Sequence, residues 1–258
     1  MKKLFLTWQD KESRKWYPIG QLTFDGEVYR FFYIKGAETA KTESNFQEIV
    51  SFPDLREIYE STELFPMFAN RVMPSSRPEY KQTIEWLALP ENSLDPLAFI
   101  ARSGGTKVND RFEMFCYPEP DENKNYSLHF FAHGLRHLTR CSIDEISSLE
   151  QNEMIYIAQD FQNPHDKNAL QLHTLNHHIV GYCPNYLLDD INEVIRSKEL
   201  CNVQVERVND SNSPLQFRLL CKMTFAKKDS QKPFQRGNYE PIVTVLNETV
   251  ESKNVVFA

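Results

Sequence analysis

The run Asn163-Pro164-His165-Asp166-Lys167-Asn168-Ala169-Leu170, followed by Val180-Gly181-Tyr182-Cys183-Pro184, constrains this chain more than any other stretch. It reads as strand, polar turn, strand, turn, then helix. Met154–Ile157 and Ala169–Leu172 are β-prone. Between them Asn-Pro forces an extended or turn conformation, and Asp166 can bond the backbone two residues on. Such a hairpin corner holds short polar side chains at the rim of a small sheet, where binding groups concentrate.

Elements on either side can be read in the same way. Tyr17 to Ile34 alternates apolar and polar residues around Asp25-Gly26, which predicts a hairpin. Leu55, Ile58 and Tyr59 have helical spacing. Pro78 opens a helix ending near Leu89, and Asp95 to Gly105 is a short helix stopped by glycine. Tyr117 to Asn125 carries prolines and charges without periodicity, so the expected linker is 116–123. Leu188, Ile191, Val194 and Ile195 form one apolar helix face. Val203–Val208 and Phe217–Met223 read as a hairpin. Pro241–Leu246 is strand-like and free to pair with either half or with a neighbour.

The chain has 258 residues, 41% of them hydrophobic, and a net charge of −7. A non-specific nucleic-acid coat would be basic. The charge is uneven: residues 1–123 carry 15 basic and 20 acidic groups, and residues 124–228 carry 11 and 12. All seven histidines lie between His129 and His178, so mild acid should make that second region cationic. Five cysteines without a CxxC pair, no secretory leader and no apolar run of about 18 residues point to a cytoplasmic chain without a membrane partner. His177, His178 and Cys183 match no closed zinc pattern, and nothing orients an imidazole toward Cys183. Asp144-Glu145 and Asp189-Asp190 read as solvated helix starts.

Three separated blocks, YSLHFFAHGLRHLTR (126–140), NPHDKNAL and VGYCPNYLL, resemble a HIRAN domain in order and spacing over roughly residues 124–226. The resemblance implies a small OB-like barrel that recognises the 3′-hydroxyl end of single-stranded DNA. Reading such an end takes cations for phosphate, flat groups for stacking and short acceptors for the hydroxyl. Asp166 is the acceptor for the 3′-hydroxyl, and a terminal phosphate would be repelled there. Asn163 would meet a base edge or sugar. Arg136 and Lys167 would meet phosphates, and His137, His165 and Tyr182 would stack. The chain departs from the family at two places. His137 and Leu138 stand where two aromatics usually sandwich the terminal base, and His165 replaces an aromatic before Asp166. Each lost platform weakens binding by about 1–3 kcal/mol.

GQLTFDGEVYRFFY, LFPMFANRVMP and DPLAFIARSGG resemble the N-terminal subdomain of HipA-type kinases over about residues 1–105. In split systems that piece is a separate HipS-like protein restraining the kinase. The chain has no Gly-rich phosphate loop and no HRD-like or DFG-like run, so phosphoryl transfer is not expected of it.

The expectation is therefore a non-enzymatic protein without cofactor or metal. An α+β module (1–115) precedes the linker, a mostly-β OB-like barrel with one or two helices (124–227) and a tail with a possible strand (228–258). The barrel would bind single-stranded DNA, preferring 3′ ends. The front module would dock on a separately encoded HipT-like serine/threonine kinase of the bacterial toxin–antitoxin type. Two other readings stay open: a DNA-damage or phage-defence sensor without a kinase, and a protein–protein regulator that no longer binds DNA.

Overall fold

The computed structural model describes residues 2–90, 95–123, 125–164, 166–196, 201–226, 233–234 and 237–243. The first half contains β1 (Lys2–Gln9), β2 (Trp16–Phe24), β3 (Tyr29–Tyr33), α1 (Lys35–Ser44), β4 (Tyr59–Ser61), α2 (Pro66–Ala69), α3 (Tyr80–Trp86), α4 (Pro96–Ser103) and β5 (Phe112–Cys116). Its strands form one antiparallel sheet in the order β4-β3-β2-β1-β5. The β2–β3 turn follows from its residues. Asp25 accepts from the backbone of Glu27 and Val28 at 2.9 Å each, and Gly26 takes φ +116°. The adjacent Phe24 and Tyr29 rings stack at 4.2 Å. α4 starts at Asp95, whose carboxylate accepts from Leu97 at 3.1 Å, and stops at left-handed Gly104.

One expected helix is absent. The stretch around Leu55–Tyr59 is irregular and leads into β4, which pairs Tyr59 with Phe31. Leu55 and Tyr59 lean on the front core from that edge, so burial against a sheet overrode a weak helical spacing.

The second half contains β6 (Asn125–Phe131), α5 (Arg140–Ser148), β7 (Met154–Gln159), β8 (Leu170–His173), β9 (Ile179–Tyr182), α6 (Leu188–Arg196), β10 (Cys201–Val208) and β11 (Leu219–Ala226). Its antiparallel sheet runs β6-β11-β10-β7-β8-β9. The sheet curls until its two edges meet. Just beyond β6, His133 exchanges both backbone hydrogen bonds with Tyr182 of β9, at 2.9 and 3.0 Å. That pair ties the two edges together at one end. It also explains Gly181, at φ +145°, where an added Cβ would sit 2.8 Å from that of Ala132. Ile155, Leu172, Val180, Val203, Leu219, Cys221 and Met223 fill the interior.

The two sheets share their largest core. Phe5, Phe32, Ile34, Phe115 and Tyr117 of the first half pack in one cluster with Tyr126, Leu128 and the barrel interior. Of the stretch expected as a linker, Cys116 ends β5, and Tyr117 is buried with its amide bonded to Lys3. A second contact joins Ile84, Leu87 and Phe99 to Phe131 and Leu220. There Asn209 donates to the carbonyls of Trp86 (2.8 Å) and Phe217 (2.6 Å). The tail chooses the front sheet: Pro241 bridges Ile34, and the Ile242 amide bonds the Tyr33 carbonyl at 3.3 Å. Phe234 fits against Phe5 and Phe115. Residues 244–246 of the expected tail strand lie outside the described residues.

Two charge expectations are corrected. Asp189 is exposed, but the Asp190 Oδ2 atom is buried without a hydrogen-bond partner. Burial raises that carboxyl to about 7, although its hydrogen bond with Tyr239 pulls the other way. His129 does not join the acid-induced cationic surface, because burial lowers its imidazole to about 3, with Arg102 and Lys222 adding to the effect.

Two outcomes follow. Because the core is shared, both halves should unfold in a single transition. Phe115→Ala should lower stability by about 3–5 kcal/mol without splitting that transition; calorimetry and near-UV circular dichroism check this, and two separate transitions would contradict it. The folded chain keeps the Asp190 proton up to about pH 7, whereas the unfolded chain loses it near 3.8. Stability should therefore fall as pH rises through that window. Asp190→Asn should flatten the fall and raise Tm at about pH 8 relative to the parent chain, as measured by melting curves across the range.

Candidate functional site

The corner between β7 and β8 is a ten-residue turn, 160–169, closed at its base by the Asp160 amide on the Ala169 carbonyl at 2.8 Å. Its side chains build the turn. Asn163 Oδ1 accepts from the Asp166 amide at 3.0 Å, and Asp166 Oδ1 accepts from the Asn168 amide at 2.8 Å. Asp166 Oδ2 accepts from the Asn185 side-chain amide. Asp160 Oδ2 accepts from the Tyr182 hydroxyl at 3.1 Å and from Asn163 Nδ2 at 3.4 Å. Gln171 Nε2 also donates to the Tyr182 hydroxyl, at 3.3 Å. Asp160, Asn163, Asp166, Tyr182 and Asn185 thus form one connected polar rim drawn from the 160–169 turn and the 182–185 stretch. A carboxylate oxygen has two acceptor positions. Asp166 uses one on each oxygen for its own fold and keeps acceptor capacity for a ligand.

Arg136 and His137 lie in a 3-10 turn, Leu135–His137. Gly134 enters that turn at φ +76°, and a Cβ there would come 3.0 Å from the Tyr182 ring. Only glycine lets the turn lie so close to the aromatic. Leu135 is buried and anchors the turn, while Arg136 and His137 are exposed. Arg136 Nε donates to His137 Nε2 at 3.0 Å, so the two present one polar group to solvent. The His133–Tyr182 backbone pair and the approach of Gly134 to the Tyr182 ring join this turn to the strand whose tyrosine hydroxyl bonds Asp160.

Asn163 and Asp166 are partly buried, and Lys167 is exposed, with its carbonyl accepting from Gln159 Nε2 at 3.2 Å. Tyr182 is partly buried, and burial raises its hydroxyl above the ordinary tyrosine value. His165 lies outside the described residues.

Two rim residues and a neighbouring aromatic were missed from sequence. Phe161 is 77% exposed within the turn, an aromatic in an otherwise polar loop and visible as such. Asp160, at the end of the β7 run, could have been found as a turn-opening acid. Asn185 carried no local signal, because its partner Asp166 is 19 residues away.

Other chemistry is not assembled nearby. Cys183 is buried, and burial pushes its thiol well above the ordinary value, which disfavours a thiolate nucleophile. His177 sits at φ +64° in the β8–β9 turn. Among the described residues no three His, Cys, Asp or Glu side chains are placed to hold a metal ion, and no helix is long and apolar enough to cross a membrane.

Comparison with known proteins places a family on this half of the chain. No curated protein matches the sequence. Among solved structures, the crystal structure of the HIRAN domain of human HLTF is 25% identical, with 41% of this chain and 81% of that one covered and a TM-score of 0.31. An NMR structure of the HLTF HIRAN domain in its DNA-bound conformation is 22% identical, covering 40% and 76%, with a TM-score of 0.27. A protein from Lactobacillus plantarum is 14% identical, covering 39% and 96%, with a TM-score of 0.33. The family model for the HIRAN domain matches residues 125–225, a span holding β6 to β10, nearly all of β11 and the whole polar rim, and this part of the chain is similar to that family.

Proposed function

We propose that the barrel binds single-stranded DNA at a free 3′ end. The observation that carries this proposal is the connected rim of Asp160, Asn163, Asp166, Tyr182 and Asn185 within the HIRAN-matched residues. A HIRAN domain elsewhere has been solved in a DNA-bound conformation, which supports the same class of ligand. Asp166 accepts the terminal hydroxyl with its remaining acceptor positions, in a charge-assisted bond that a 3′-phosphate would replace with repulsion. Asn163, fixed by its bonds within the turn, reads a sugar or base edge. Arg136 and Lys167, both exposed, take phosphates. His137 and Tyr182 offer flat surfaces, and exposed Phe161 adds one that compensates for the family's missing aromatics.

Docking of the front half on a HipT-like kinase is a finer proposal, supported by the resemblance of residues 1–105. Two measurements separate the alternatives. DNA binding without kinase capture favours a sensor, and kinase capture without DNA binding favours a protein regulator.

In fluorescence anisotropy, a short oligonucleotide ending in a 3′-hydroxyl should bind about tenfold tighter than one ending in a 3′-phosphate. Asp166→Ala should erase that difference; equal affinities for the parent chain would rule out end recognition. A HipT-like kinase co-expressed with the chain should co-elute with it on size exclusion, and separate elution would remove the docking proposal.

A further inference from the structure

Glu113 is the strongest candidate outside the rim. It lies on β5 of the front sheet, far in sequence from the site, and is only 8% exposed. Its backbone is locked: the Glu113 carbonyl accepts from buried Thr7 Oγ1 at 2.7 Å, inside the β1–β5 ladder. Its carboxylate turns toward the barrel. Oε1 accepts from the Tyr186 hydroxyl at 3.1 Å and lies 3.5 Å from His133 Nε2.

Those two partners belong to the two segments that frame the rim. His133 precedes Gly134 and the 3-10 turn bearing Arg136 and His137, and it makes the backbone pair with Tyr182. Tyr186 follows Asn185, whose amide holds Asp166. One carboxylate from the front half therefore ties down both the phosphate-facing turn and the strut behind the proposed hydroxyl acceptor. The tie sits in an apolar setting. The Tyr186 ring stacks on Phe115 at 5.2 Å and meets the Trp16 ring edge-on at 5.8 Å, both from the front sheet. A charge-assisted bond shielded from water is strong and directional, and a site held by such bonds is preorganised.

We infer that Glu113 is a positioning residue for the DNA-end site: the front half completes the HIRAN site by fixing Asn185–Asp166 and Arg136–His137 relative to each other. This rests on the DNA-end proposal for its ligand, but the positioning itself can be read without DNA.

The test uses the full chain with Glu113→Gln, which keeps shape and removes charge, and Tyr186→Phe, which removes only the hydroxyl. Hydrogen–deuterium exchange should quicken about tenfold for amides in 133–137 and 163–169 in both variants. Exchange in β2 and β3 should stay at the parent rate, which distinguishes local release from general unfolding. With 3′-hydroxyl oligonucleotides, both variants should lose about tenfold in affinity and most of the preference over 3′-phosphate. Tyr186→Phe should add little once Asn185→Ala has cut the strut. Unchanged exchange in both loops, or quickening only together with the whole front sheet, overturns the positioning role whatever DNA does. Quickened loops in a chain that never prefers a 3′-hydroxyl would instead sink the end-recognition proposal and leave the positioning role standing.

Discussion

The seating of Tyr186 against the front sheet is the contact on which the rest of the structure depends. Its ring is the meeting point of Phe115, Trp16 and His133, and its hydroxyl reaches the buried Glu113 carboxylate. Removing that ring would open the shared core and leave a charged group buried without its donor, a situation that costs far more than the bond itself contributes. The site and the fold are coupled at this point, because the residue before Tyr186 carries the amide that holds Asp166.

The chain resolves a problem common to small barrels. A curled six-stranded sheet must close, and here it closes at one residue pair, His133 and Tyr182, in a place crowded enough to require Gly134 and Gly181. The rim is built on that same seam. Its polar side chains first satisfy the turn and only then face solvent, so few are left to move when a ligand arrives. The front half and the tail also brace the fold. Phe234 and Tyr239 pack with Phe5, and the Lys35–Glu240 ion pair clips the tail to α1.

Much of this was legible locally. Asp25-Gly26 announced the first hairpin, Asp95 and Gly104 bounded a helix, and the 154–184 run showed two strands and the turn between them, although Val180–Tyr182, read as a turn, belongs to strand β9. The HIRAN blocks located the barrel. What failed locally failed for a common reason. The Leu55–Tyr59 spacing was helical, but the edge of a sheet was available to bury those side chains. Asp190 looked like a solvated helix start, yet Tyr239 and Phe234 return from the tail to cover it. The turn carrying Arg136 and His137 had no local signal, because nothing nearby shows that Gly134 must bend against a ring 48 residues downstream.

By itself, the sequence determined the alternation that makes strands, the turn residues that join them and three of the five rim residues, Asn163, Asp166 and Tyr182. These are properties of neighbours along the chain, governed by backbone sterics and short-range hydrogen bonding. Only the tertiary structure decided that the sheet closes on itself, that the two halves share one core and that Glu113 stands behind the site. Those outcomes depend on pairs such as Glu113 with Tyr186, 73 residues apart. Such pairs form because burying apolar surface and satisfying each buried polar atom select one arrangement of the whole chain, and no local period in the sequence records that selection.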